Sequence, residues 1–276
     1  MSAVRQPEQI ASWLGALAGY ERGLPVTVAR AVIKSYEDGT RASLVLADDR
    51  KAYWVKVLGN PQGDQILVTE AVVSGVGRLI GAPTRPTTLV EIPLEFAGVS
   101  YGGGRRFRAG IAHGSLHLAR SEERDVIEYQ RRDGNESRRG PLAALWDWCM
   151  GADPQWLYDL ENDYSIWSFD HGFWLGGDGG DWDAAMLKRL VGHPWPWSEG
   201  VSTVNPSSLR ECAGLLRGVS SLDILSVLAG VPREWGTDDH TLETLGWFLY
   251  NRRMQVATRL DDIAATLVRS AERSSK

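Results

Sequence analysis

Short stretches near the start of the chain are apolar and rich in β-branched residues, and polar turns separate them. This pattern predicts β-strands, and two strands around a short charged turn predict a hairpin. The predicted strands are residues 26–34, 43–47, 52–58 and 88–92.

Later in the chain, apolar residues recur at the three- and four-residue spacing of helices. One earlier helix begins near Ile66 and ends before Gly81, a residue that often follows a helix C-terminus. The later predicted helices are residues 141–150, 184–190, 206–216, 222–229 and 242–268, with one short strand at 164–169. No clear period appears over 96–114, and 131–139 and 151–158 are predicted to be loops.

Because strands come first and helices later, the pattern favours an α+β protein over an alternating α/β sheet. The expected architecture is a sheet-rich, antiparallel N-terminal lobe over residues 1–96 and a mainly helical C-terminal lobe over 97–276. The segment 92–97 is the expected connection between the lobes.

The apolar stretch at residues 10–20 has two interpretations. Ala16 to Ala18 is similar to a signal-peptide cleavage site, but Glu8 precedes the stretch and Ser12 dilutes it. The helical spacing of Ile10, Trp13, Leu14 and Leu17, after Pro7, favours an amphipathic helix that packs on the protein body.

Composition narrows the classes of partner. The net charge of −5 makes nucleic acid an unexpected partner, and no apolar run reaches membrane-spanning length. The two cysteines have neither a metal-binding nor a disulfide spacing, which fits the cytoplasm. The twelve tryptophans are dispersed along the chain, so they predict a rich core rather than a sugar- or choline-binding repeat.

Lys56 is the first candidate for chemistry, because it lies within the apolar third strand on the same face as Trp54. A buried ammonium needs a partner, and Glu70 in the following helix is suitably placed. A surface lysine whose stem lies along an edge strand is the alternative.

Two aspartates are candidates for handling a metal and a proton. Asp153 follows an apolar helix, and Asp170 ends an apolar strand before His171 and Gly172. Phosphoryl transfer needs a cation on the phosphates, oxygen ligands for magnesium and a base near the attacking hydroxyl. Ordinary turn chemistry explains either aspartate alone.

Two glycine-containing segments complete the candidate nucleotide site. Gly39, Thr40 and Ser43 could cover phosphates, although a plain hairpin turn explains them equally well. His113, in a glycine-rich stretch, could line the cleft or belong to a simple loop. His113 and His117 have no third ligand placed for a zinc site.

The order of these motifs resembles the bacterial HipA-like kinase domain family, a relative of the HipA toxin kinases and distantly of phosphatidylinositol kinases. The matching segments are YWVKV (53–57), GN (59–60), Glu70, GAP (81–83), GIAHGS (110–115) and FDHG (169–172). The resemblance implies a protein-kinase-like fold that uses ATP and Mg²⁺. It implies that Lys56 contacts the phosphates, that residues from Glu91 to Glu95 contact adenine, that Asp170 binds magnesium and that Asp153 is the catalytic base.

One departure from that family pattern concerns the second magnesium ligand. The asparagine expected five positions after Asp153 is replaced by Tyr158, which lacks an amide oxygen. Gln155 is the favoured substitute, as in the similar Asp-x-Gln arrangement of the alpha-kinases, and Asp159 is a weaker one. The expected function is ATP-dependent transfer to a protein Ser or Thr hydroxyl. A nucleotide-binding pseudokinase and a small-molecule kinase are the alternatives.

Overall fold

A closed barrel forms the first half of the molecule. The computed structural model describes residues 9–23, 26–35, 42–101, 105–176 and 180–274. The barrel strands are β1 (Val26–Ser35), β2 (Ser43–Ala47), β3 (Ala52–Lys56), β4 (Thr87–Ile92) and, after the short strands β5 (Ser100–Tyr101) and β6 (Arg105–Arg106), β7 (Gly110–Leu116). The first three of these strands and β4 confirm the apolar stretches that predicted them.

The barrel order is β1-β2-β3-β7-β4, so the expected antiparallel sheet is in fact closed into a barrel. Most neighbours are antiparallel, but β1 and β4 pair in parallel and thereby close the sheet. The segment 96–114, which shows no clear period in the sequence, contains most of β7, the strand that lies between β3 and β4.

Alternation along the strands separates a barrel interior from an outer face. Val45, Val55 and Val90 fill the interior with their strand neighbours. Lys56 and Trp54 lie on the opposite face of β3, because successive side chains in a strand point to opposite sides. That outer face turns toward the rest of the molecule.

Helix α1 (Gln65–Leu79) confirms the predicted helix and is buried along most of its length. All but one of its residues from Ile66 to Gly77 are buried, and the helix packs against α5 (Ser221–Ala229). Gly75 permits this approach, because a β-carbon there would overlap Val227 of α5. The helix therefore has neighbours on every side of its central turns.

The second half of the molecule, here called the helical half (117–274), combines helices with a small antiparallel sheet. The sheet has the order β10-β9-β8, with strands β8 (Ser121–Arg124), β9 (Trp156–Asp159) and β10 (Ser165–Ser168). The other helices are α2 (Asn135–Trp148), α3 (Ala184–Leu190), α4 (Pro206–Gly218) and α6 (Asp239–Ser274).

Two predicted loops contain regular structure. Segment 131–139 holds the first turns of α2, because the side chain of Asn135 bonds the carbonyl oxygens of Tyr129 and Tyr164 and organises that end of the helix. Segment 151–158 contains most of β9, which is buried between two partner strands. In both segments, contacts with distant parts of the chain produce regular structure where the local sequence predicts a loop.

Residues 117–120 join β7 of the barrel to β8 of the small sheet. After Ile92 the chain returns to the barrel through β7. The division at residues 96 and 97 stays a prediction, and the later strand β7 belongs with the sheet.

The N-terminal segment forms two 3₁₀ helices, Ile10–Ser12 and Ala16–Gly19, rather than one amphipathic helix. Gly15 separates them with a φ of 82°, which glycine adopts readily. The predicted packing is present, because Trp13 and Leu17 are buried in the main core. The carboxylate of Glu243 on α6 accepts bonds from the amides of Gly15 and Leu17.

Within the described part of the chain, no single helix has the length and apolar character needed to cross a membrane. The pair α4 and α5, bent by 84°, passes that test together on length and composition alone.

Candidate active site

The ammonium of Lys56 joins two carboxylates from different parts of the chain. It donates to Glu70 on α1 and to Asp170, which follows β10. Lys56 and Glu70 are buried, and the side chain of Asp170 retains 23% of its exposure. The structure thus brings three of the predicted residues into one cluster on the outer face of the barrel.

Two histidines complete the surroundings of Glu70. His171 Nδ1 lies 3.7 Å from Glu70 Oε2, and His171 Nε2 lies 2.9 Å from the hydroxyl oxygen of Ser168. His113 pairs with Lys56 across β3 and β7 and is fully buried. Burial lowers the pKa of both histidines to about 4, although Glu70 acts in the opposite direction. Both imidazoles are therefore neutral near pH 7.

The two carboxyl groups that Lys56 contacts, those of Glu70 and Asp170, have pKa values shifted in opposite directions. Burial by itself would raise the pKa of Glu70, but Lys56, His113 and His171 together hold it below its usual value. Burial raises the pKa of Asp170, and Glu70 reinforces that rise while Lys56 opposes it. The two carboxylates raise the pKa of Lys56 against the effect of its burial. One ammonium thus serves two carboxyl groups.

Asp153 and Gln155 leave the same end of the small sheet as Asp170. Trp156 of β9 pairs with Ser168 of β10, so the residues just before Trp156 lie beside those just after Ser168. Gln155 Nε2 donates to Asp153 Oδ2 over 3.0 Å. Asp153 is exposed, and both aspartates have a positive φ, 50° and 56°, which Asp tolerates better than most residues.

Tyr158 lies in β9 and takes no part in this cluster. Its hydroxyl accepts from the amide of Glu128 over 2.7 Å and donates to the carbonyl of the same residue over 3.0 Å. Asp159 is also occupied, because its carboxylate caps the turn at Glu161 and Asn162. The weaker predicted substitute ligand therefore has a structural role.

Several predicted nucleotide contacts lie elsewhere. Ser43 faces the barrel side of β2, where its hydroxyl lies 3.0 Å from that of Ser35. Glu91 is exposed on β4, opposite Ile111, so the structure does not bring it to Lys56. Gly39 and Thr40 lie outside the described residues. The structure thus places His113 beside Lys56, but it places neither Ser43 nor Glu91 there.

Sequence reasoning gave no role to His171 or to Glu123. His171 was visible only as part of the FDHG motif, and its contact with Glu70 depends on the packing of α1. Glu123 lies on β8, where burial, Asp170 and Asp125 raise the pKa of its carboxyl. No signal in the sequence places Glu123 near Asp170, because the pairing of β8 with β9 creates that proximity.

The cluster has no metal site formed by its own side chains. Across the described ranges, no three or more His, Cys, Asp or Glu side chains are grouped to hold an ion. Asp170, Asp153 and Gln155 nevertheless offer oxygen atoms, the ligand type that Mg²⁺ takes, with substrate phosphates completing such sites. The chemistry of the donors fits magnesium bound together with a nucleotide.

Comparison with known proteins gives a fold but no family. No protein family and no curated protein matches the chain by sequence. The Helicobacter pylori proinflammatory kinase CtkA is similar in structure, with a TM-score of 0.56, 11% identity, and coverage of 88% of this chain and 99% of that one.

Two structures of the Golgi casein kinase match more weakly. One has a TM-score of 0.45 at 11% identity, over 95% of this chain and 76% of that one. The other, with Mn/ADP bound, has a TM-score of 0.44 at 10% identity, over 91% and 75%. The similarity to CtkA shows that this chain has a kinase-like α+β fold.

Proposed function

We propose that this protein is a phosphotransferase that moves the terminal phosphoryl group of a magnesium nucleotide to a hydroxyl group. One observation carries the proposal: Lys56 contacts both Glu70 and Asp170. Lys56 lies on a barrel strand, Glu70 on a helix, and Asp170 just after the end of another strand. A strand lysine held by a helix glutamate beside a metal-binding aspartate is the arrangement that protein kinases use on nucleotide phosphates.

Each residue has a role that follows from its surroundings. Lys56 binds the phosphates of the nucleotide, and Glu70 orients its ammonium from the buried side. Asp153, which is exposed at the sheet end, accepts the proton of the attacking hydroxyl. Because the pKa of Asp170 is raised by burial, a nearby cation would favour its ionised form.

Magnesium, when bound with the nucleotide, would neutralise charge on the phosphates. Asp170 and Gln155 would hold it, because carboxylate and amide oxygens suit this ion. Gln155 uses its amide nitrogen to donate to Asp153, so its oxygen is the atom left for a ligand role. Tyr158 cannot supply such an oxygen from its position in β9.

The finer identity follows from the sequence resemblance. We infer a HipA-like enzyme with ATP as the donor implied by that family, acting in the bacterial cytoplasm on a Ser or Thr hydroxyl of a protein. Both cysteines are buried and free, which is compatible with a reducing compartment. A small-molecule hydroxyl is the alternative acceptor, which a screen of sugars and amino acids for release of nucleoside diphosphate would detect.

The test is transfer of labelled phosphate. The purified chain is incubated with magnesium and γ-labelled nucleotide, alone and with a bacterial lysate fraction, and labelled protein is measured. We expect label on the chain itself or on a partner, and loss of that label in Asp153→Asn. Absence of both nucleotide binding and transfer would refute the proposal.

A second candidate is a pseudokinase that binds nucleotide without transfer. The burial of Tyr158 favours it, because the usual second amide ligand is missing at that position. Under this alternative, nucleotide binds, no label is transferred, and Asp153→Ala leaves the cellular role intact. Transfer that depends on Asp153 would exclude it.

A further inference from the structure

The chain that follows β10 runs back onto helix α1, and its residues 170–176 and 180–183 are here called the return segment. Two glycines make this approach possible. A β-carbon on Gly172 would lie 3.2 Å from Ile66 of α1, and one on Gly180 would lie 3.3 Å from the same residue. The β-carbon on Gly180 would also lie 2.9 Å from the carbonyl oxygen of Gly172. Both ends of the return segment therefore meet on the first turns of α1.

Trp182 attaches the far end of the return segment to α1 through three hydrogen bonds. Its indole Nε1 donates to the hydroxyl oxygen of Thr69 over 2.9 Å. The carbonyl oxygen of Trp182 accepts from Gln65 Nε2 over 2.7 Å, and the amide of Trp182 donates to Gln65 Oε1 over 3.4 Å. These contacts of Trp182 with Gln65 and Thr69 are here called the clasp. The clasp is formed directly beside Glu70, the residue that follows Thr69 in the helix.

The near end of the return segment has attachments of its own. The amide of Trp174 donates to the carbonyl of His171 over 3.0 Å, and the amide of Leu175 donates to the carbonyl of Cys149 over 2.9 Å. The side chains of Trp174 and Leu175 are buried. Asp170 lies directly before these attachments, and the clasp lies after them. The return segment therefore helps to hold Asp170 in place from its C-terminal side.

The sequence around the return segment lacks the residues that a phosphate switch uses. Between Ser168 and Ser198, the chain contains no serine, threonine or tyrosine. In kinases that are activated by phosphorylation, a phosphate on the segment after the magnesium aspartate orders that segment and sets the helix that carries the glutamate. Here the segment has no hydroxyl to modify, and unmodified groups of the chain already attach it to that helix.

We propose that the clasp takes the place of activating phosphorylation, so that this site is assembled without a phosphate signal. The inference rests on the proposed function, because it concerns the regulation of the same site. Trp182 and Gln65 are accordingly positioning residues: they act through Glu70 and Asp170, and neither is assigned a contact with the reacting groups.

The first test needs no transfer activity. Hydrogen exchange is followed by mass spectrometry on the unaltered chain, after phosphatase treatment and without nucleotide. Peptides that contain the amides of Trp174, Leu175 and Trp182 should exchange at least about tenfold more slowly than unstructured amides, because a bonded amide exchanges only when its bond opens. Exchange at the unstructured rate, with protection only after a nucleotide binds, would overturn the inference and leave the proposed function intact.

The second test separates positioning from stability. Trp182→Phe removes the indole donor of the clasp, and Trp148→Phe is the matched control, because the buried indole of Trp148 donates to the carbonyl of Leu249 over 2.7 Å. Both variants should lower the melting temperature to a similar extent. Only Trp182→Phe should lower kcat, by about tenfold or more, with little change in the KM for magnesium nucleotide, because the phosphoryl group is bound but less well aligned.

A double variant checks that the bonds act together. Gln65→Ala should lower kcat as Trp182→Phe does, and the two changes combined should lower it little more than either alone, because both break the same clasp. Effects that multiply fully in the double variant would overturn the shared role, and so would equal kcat values for Trp182→Phe and Trp148→Phe.

A time course tests the independence from phosphorylation. Transfer by the phosphatase-treated chain should be linear from the first time points, without a lag. A lag that disappears once the chain has become phosphorylated would overturn the inference while confirming transfer. If the unaltered chain transfers nothing, the proposed function is refuted, and exchange protection that is lost in Trp182→Phe still decides whether the clasp holds the return segment.

Discussion

Lys56 and Asp170 lie 114 positions apart in the chain, yet the ammonium of one donates directly to the carboxylate of the other. Two connections make this contact. The residues before β4 pair with the end of β10, because the amide of Ser168 donates to Pro83 over 2.8 Å and the amide of Arg85 donates back to Ser168. Asp170 follows two positions later and is thereby directed at the lysine.

Removal of Lys56 should destabilise the protein even without nucleotide. Lys56→Met leaves the buried carboxylate of Glu70 and the half-buried carboxylate of Asp170 without their shared cation, and breaking a buried ion pair costs about 3–5 kcal/mol. Adding Glu70→Gln to that chain should recover part of the loss, because one unpaired charge disappears. Urea unfolding at pH 7 measures both effects.

Lys51 provides the matched control for that experiment. Its side chain is 61% exposed, so Lys51→Met should change the unfolding free energy by less than about 0.5 kcal/mol. If Lys56→Met with Glu70→Gln loses more unfolding free energy than the two single variants lose together, the shared ion cluster would be contradicted.

Asp153 and Gln155 should affect transfer and not stability. Both lie at the exposed end of the sheet, so Asp153→Asn and Gln155→Ala should unfold like the parent chain. Loss of a general base lowers turnover about 10²–10⁴-fold, and loss of a charge-stabilising contact about 10²–10³-fold. Near-normal turnover of Gln155→Ala in steady-state assays would show that this residue does not hold magnesium.

Tyr158 should have the opposite profile. Tyr158→Phe removes both hydrogen bonds to the backbone of Glu128, which should cost about 1–3 kcal/mol of stability. The rate of phosphoryl transfer, measured well below the melting temperature, should not change. A drop in turnover with stability preserved would mean that the hydroxyl serves the reaction.

Stability should fall as the pH drops from about 6.5 toward 4. His113 and His171 have a folded-state pKa near 4, whereas unfolded histidine titrates near 6.5. The unfolded chain therefore takes up protons first, and each histidine contributes at most about 3 kcal/mol to the loss. Chemical denaturation at pH 7, 6 and 5 measures the slope.

A histidine variant isolates this effect. His113 Nε2 is buried and has no hydrogen-bond partner in the described part of the chain. His113→Leu should therefore keep its stability at pH 7 and show a shallower decline toward pH 5. An unchanged slope would contradict the neutral state assigned to this ring.

The contact between α1 and α5 should depend on the absence of a side chain at Gly75. Gly75→Ala places a methyl group against Val227 and should destabilise the chain by about 1–3 kcal/mol, despite the higher helix propensity of alanine. Val227→Ala in the same chain should restore part of the loss. Thermal unfolding of the single and double variants gives the coupling energy.

Local patterns predicted the parts of the site that are close in sequence. Alternation along β3 placed Lys56 on a buried face, and helical spacing placed Glu70 within reach of it. The approach of Asp170 depends on pairing between distant strands, for which the chain carries only the turn motif at 169–172. The sequence could therefore identify Asp170 as a candidate site residue, but it could not predict that Asp170 lies beside Lys56.

Failures arose where tertiary contacts outweighed local preference. Strand β7 contains two glycines and a histidine, so it shows no apolar alternation, yet strands on both sides cover it. The charged start of α2 resembled a loop, although Arg139 is buried there and bonds the carbonyl of Thr203 over 3.0 Å.

Helix α1 carries Glu70 and is enclosed along its central turns. Kinases that are switched on and off by swinging such a helix need empty space or solvent on one of its sides. Here a rotation would force Val227 and the surrounding core to repack. We therefore expect the pairing of Glu70 with Lys56 to persist throughout the folded state, so that displacing this helix would be a costly means of control.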